Sequence, residues 1–142
     1  MKELFLILFF SQTVLLTPEP VDLDGIMKLT PEKPLEAITH GASLQIDVSS
    51  MIAWREKENI LSFRSRLTAL FPPGSIEAEL IGKDNESILL HYEGEHQFNR
   101  NSVMLSLYAD DRVPTNLEFK QVILKSYIEL KGVQVYWKNY KH

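Results

Sequence analysis

From Ser43 to the carboxy-terminal end the chain alternates apolar and polar residues with a period of two. That period is the side-chain repeat of a half-buried β-strand. In "SLQIDVS", Leu44, Ile46 and Val48 point one way, against Gln45, Asp47 and Ser49. "LSFRSRLTALF" puts Leu61, Phe63, Leu67, Ala69 and Phe71 on one face and Arg64, Arg66 and Thr68 on the other, so it too reads as a strand. "SIEAELI", "SILLHYE" and "SVMLSLYA" continue the pattern. In "LEFKQVILKS" the phase changes between Phe119 and Val122, the signature of a bulge. "YIELKGVQVYWKN" ends the chain with Val133, Val135 and Trp137 on one side.

Turn chemistry divides these runs: "PPG" after Phe71, "GKDNE" after Ile81, and "DDRVPTN" after Ala109. "SSMIAWREKEN" reads either as a short helix or as a strand end with a charged loop. With turn signals about every ten residues and no alternation of strands with helices, the pattern predicts an all-β, antiparallel β-sandwich. Seven or eight strands, in an immunoglobulin-like or a jelly-roll order, satisfy it. The predicted interior is Leu44, Ile46, Val48, Phe63, Leu67, Ile76, Leu80, Val103, Leu105, Leu107, Val133, Val135 and Trp137.

Ahead of this domain, "MKELFLILFFSQTVLLTPEP" opens with a wholly apolar run from Leu4 to Phe10. Its length is that of a signal-peptide apolar region. As a helix, Leu4 to Leu16 would be roughly 20 Å long, short of the ~30 Å hydrocarbon core. Residues 1–17 therefore read as a signal peptide or a short membrane anchor, residues 18–25, with Pro18 and Pro20, as a linker, and residues 26–142 as the β-domain. The localisation this predicts is export, periplasmic or secreted, with a membrane tether only if the leader is retained.

Composition excludes several functions. At 142 residues and a net charge of −4, one domain is expected and there is no basic footprint for nucleic acid. With no cysteine there is no disulfide framework, thiolate metal site or cysteine nucleophile.

The richest cluster of chemistry is "HYEGEH". On a straight strand His91, Glu93 and Glu95 share one face, a donor set for a divalent ion, while His96 points away unless Gly94 bends the chain. A solvated polar strand edge explains the same residues. "HGAS" brings His40 near Ser43, yet a triad needs a third orienting group and an oxyanion hole. Glu77 and Glu79 read as a solvated face. Trp54, Tyr108 and Tyr136 are candidate carbohydrate-stacking residues. No cofactor motif is present.

These readings predict an exported, non-catalytic domain that binds a protein or cell-envelope component. The alternatives are a carbohydrate-binding module using the exposed aromatics and a metal-dependent enzyme around His91 and His96.

Overall fold

The structure, a computed structural model, describes residues 12–36, 42–110, 113 and 117–139. Among the described residues, nine strands and one helix appear in the order β1 (Gln12–Leu15), β2 (Val21–Leu29), β3 (Leu35–Glu36), β4 (Ser43–Asp47), α1 (Ile60–Leu70), β5 (Ile76–Gly82), β6 (Ser87–His91), β7 (His96–Phe98), β8 (Val103–Ala109) and β9 (Glu118–Asn139). The fold is all-β and antiparallel, as the alternation predicts.

Its architecture differs from a sandwich. β4, β8, β6, β5 and β9 pair in that order, and β5 and β4 both pair with β9, so the five strands close into a barrel. Closure depends on β9, whose 22 residues form one strand where the sequence suggests two. Its first half pairs with β5 through Ile76↔Ser126 and Leu80↔Val122. Its second half pairs with β4 through Gln45↔Tyr136. Between them Gly132 sits at φ +63°, a left-handed conformation that favours glycine. Ser50 Oγ donates toward the Lys131 and Gly132 carbonyls, and the Gly132 N–H donates to Asp22 Oδ1. These contacts hold the bend in place. The bulge foreseen between Phe119 and Val122 is present: the β5 register shifts between Ile81 and Gly82, which pair with Gln121 and Phe119.

Every residue of the predicted interior is buried. Phe63 and Leu67, however, reach the core from a helix. Asn59 caps α1, its Oδ1 accepting the Ser62 N–H at 2.8 Å. Phe63, Leu67 and Phe71 recur every four residues and pack inward, while Leu61 is 72% exposed. The strand reading of this segment and the helix reading of "SSMIAWREKEN" are both corrected, because residues 51–59 run as turns and coil up to the cap. Ahead of the cap, Glu58 is clamped by Arg66, whose Nε donates to Oε2 at 2.8 Å.

Gln12 to Leu15, Thr17 and β2 are also built into the domain. Residues 1–11 lie outside the described residues. Gln12–Leu15 pair with β9 from Asn139 back to Tyr136, and buried Thr17 accepts the Val135 N–H. Val21 to Gly25, expected as linker, belong to β2, with Leu23 buried.

Candidate functional site

The segment "HYEGEH" turns a corner. Tyr92 is buried and its hydroxyl donates to the Phe71 carbonyl at 3.1 Å; burial pushes its pKa up to about 12. The Tyr92 carbonyl accepts the Gly74 N–H, so the end of β6 is anchored to the loop after α1. Two residues later Gly94 adopts φ +95°, and the chain doubles over β8, where the Ser106 N–H donates to the Glu95 carbonyl at 2.9 Å. His91 therefore closes β6 and His96 opens β7, so the straight strand that would align His91, Glu93 and Glu95 does not exist.

The corner leaves two adjoining hollows on the outside of the barrel. A smaller one, about 220 Å³, is lined by His91, Glu93, Glu95, Tyr108, Ala109 and Asp110. A larger one, about 390 Å³, includes Arg64, Glu95, His96, Phe98, Ser106 and Tyr108 in its wall. Glu95 and Tyr108 border both.

The groups differ in how well they are satisfied. His91 Nε2 lies 3.4 Å from Asp110 Oδ2. His96 Nδ1 is buried without a hydrogen-bond partner among the described residues. Burial lowers the His96 pKa and Arg64 adds repulsion, against the opposing pull of the Gly94 backbone. The ring is thus biased toward the neutral form, which keeps an acceptor nitrogen. Arg64, exposed on α1, has no carboxylate partner among the described residues; its guanidinium lies over Phe98 at 5.9 Å. A cation, a hydrogen-bonding imidazole, a phenol, a hydroxyl and a carboxylate face one space. That set can recognise a polar ligand from several sides.

The three candidate stacking residues are dispersed. Trp54 stacks on Phe63 at 4.0 Å and 4°, with the Arg100 guanidinium 4.1 Å from its centroid and its Nε1 donating to the Asn99 carbonyl. Its ring binds the helix to β7 through Phe98. Tyr108 lines both hollows. Tyr136 lies two strands away, opposite Gln45, which in turn pairs with Ser106.

Among the described residues no group of three or more His, Asp or Glu side chains is placed to hold a metal ion. His40 lies outside the described residues, and Ser43 is buried and accepts from Gln45 Nε2. Glu79 accepts from the Ser87 hydroxyl, and Glu77 from the Tyr127 hydroxyl. Arg64, Phe98, Ser106 and Asp110 were not singled out by the sequence; the strand reading of α1 set Arg64 on a polar face with Arg66 and Thr68. A larger cleft, about 900 Å³, lies between β1, the segment around β3 and both ends of β9, with Val14, Leu15, Pro31, Pro34 and Trp137 in its wall beside Glu32, Lys33, Glu36 and Glu118. No family model, curated protein or solved structure matches the chain.

Proposed function

We infer that this chain is an exported, non-catalytic binding domain that holds a protein or cell-envelope component in the polar hollow beside Tyr108. The observation that carries the reading is the convergence of Arg64, Glu95, His96 and Tyr108 on one open space, with the His96 Nδ1 left unpartnered. A buried polar atom without a partner costs free energy, and a ligand that supplies the missing hydrogen-bond partner recovers it. The barrel supports the same reading. Its interior is filled by Leu44, Ile46, Leu80, Leu105, Val135 and Trp137, so a ligand is met on the outside. Export rests on the apolar run from Leu4 to Phe10.

Tyr108 also favours a second reading, a carbohydrate ligand. Its ring borders both hollows beside carboxylates, an arrangement suited to a sugar face and its hydroxyls.

The test is binding of the labelled chain to isolated envelope fractions and to a panel of soluble glycans. Arg64→Ala with Tyr108→Ala is expected to weaken envelope binding about tenfold or more, a loss of roughly 1.4 kcal/mol. Leu89→Ala, exposed on β6 and in the lining of neither hollow, leaves it unchanged. Equal binding by both variants would sink the proposal, and competition by one glycan class would select the second reading.

A further inference from the structure

β2 lies at an open margin of the sheet. Its nine residues pair with β9 and with no other described strand. A strand edge of that length presents unpaired N–H and C=O groups, a template for another strand. Its outward side chains are Asp22, Asp24, Ile26 and Lys28. Asp22 is occupied by the Gly132 N–H. Asp24 and Lys28 have no ion-pair partner among the described residues, and Ile26 is 66% exposed.

The order of these residues is self-complementary. We propose that two copies of this chain pair antiparallel through β2, with the two-fold axis at Ile26. Asp24 then stands opposite Lys28 of the partner subunit, twice by symmetry, and each Ile26 packs on its own copy. Opposite charges and apolar pairs directly across a ladder stabilise it, while like charges oppose it. The neighbouring symmetric registers lack this match: centring on Gly25 sets Ile26 against Asp24, and centring on Met27 sets it against Lys28.

The strand's own irregularities restrict the contact. The β2–β9 register shifts twice between Val21 and Gly25, and Gly25 sits at φ +100°. The regular ladder with β9 runs from Gly25 to Leu29, so Ile26 and Lys28 lie within it and Asp24 stands one residue beyond its end. A two-fold contact uses this edge on both copies and so closes as a dimer instead of growing into a fibre.

The chain has no cysteine, so single introduced cysteines report the register without background. Directly opposed residues in an antiparallel pair lie about 4.5–5.5 Å apart at Cα, within disulfide range. Under mild oxidation of the full chain, Ile26→Cys is expected to form a covalent dimer. Asp24→Cys alone is not, whereas Asp24→Cys combined with Lys28→Cys is. Leu89→Cys, 56% exposed but remote from β2, controls for random collision. In sedimentation, Asp24→Lys should weaken the dimer roughly tenfold by setting lysines face to face, and Asp24→Lys with Lys28→Asp should restore it. Circular dichroism checks that each variant folds. A monomer at every concentration up to a few hundred micromolar, cross-linking of Leu89→Cys as fast as Ile26→Cys, or no recovery in the charge-swapped variant overturns the proposal.

Discussion

The barrel has two outer walls, and both run along β9. On the wall of β6, β5, the first half of β9 and β2, apolar side chains stand in water: Leu89 is 56%, Tyr127 58% and Ile26 66% exposed. On the wall of β8, β4 and the second half of β9 the reverse holds. Ser43, Gln45 and Ser106 point outward from the barrel, yet all three are buried, Ser43 and Gln45 fully. The two walls alternate alike in sequence. Period two decides which side chains share a face; it is blind to what lies over that face. Burying polar groups requires hydrogen bonds in return, and here this is half met: Gln45 Nε2 donates to Ser43 Oγ at 3.0 Å, while Gln45 Oε1 has no partner among the described residues.

The contrast can be broken by removing the covered wall. Deleting residues 133–142 takes away the half of β9 that pairs with β4 and β1, which opens the barrel. Loss of cooperative thermal unfolding is expected, and deletion of residues 140–142 alone should leave the melting temperature in place. Retained cooperativity in the longer deletion would show that the open wall folds by itself.

On the inner side of the covered wall, Trp137 is buried against Phe119 and its Nε1 donates to the Glu36 carbonyl at 2.9 Å. Trp137→Ala should cost about 3–5 kcal/mol in urea denaturation. Gln45 tests the outer side of the same wall. Read from alternation alone, changes at Gln45 are cheap; its burial predicts that Gln45→Ala costs about 1–3 kcal/mol. Gln45→Met, which removes the unpaired oxygen and keeps the volume, should be close to neutral.

Ahead of α1, Glu58 makes stability depend on acid. Arg66 holds the Glu58 carboxyl at about 2, below its ordinary 4.5, against the opposing effect of burial. The unfolded chain binds this proton more readily, so the stabilisation is present above about pH 4.5 and is lost as the pH falls toward 2. Melting curves should decline across that window, and Glu58→Gln should flatten the decline. Smallest of all, Leu89→Ala on the open wall should change stability by no more than about 0.5 kcal/mol.

Much of the strand content was legible because burial on one face writes itself locally. The helix was not, since "ILSFRSRLTALF" carries both periods at once: Leu61, Phe63, Leu67 and Ala69 alternate, while Phe63, Leu67 and Phe71 repeat every four residues. Packing of Phe63 on Trp54 and Phe98 goes with the second. The Asn59 cap was the available signal. At the candidate site, Gly94 was legible as a possible bend, but the approach of Arg64 from α1 was not.

By itself the sequence determined which residues face inward, the bulge beside Lys120, and the turn at Asn85, where φ is +68°. Each of these is dictated by a residue and its near neighbours. Tertiary structure decided the closure of a barrel where a sandwich satisfied the same pattern, the burial of Gln45, and the meeting of Arg64, Glu95, His96 and Tyr108. Those outcomes depend on pairings such as Gln45 with Tyr136 and on Gly132 turning β9 from β5 to β4. Contacts between residues so far apart in the chain leave no period in it to read.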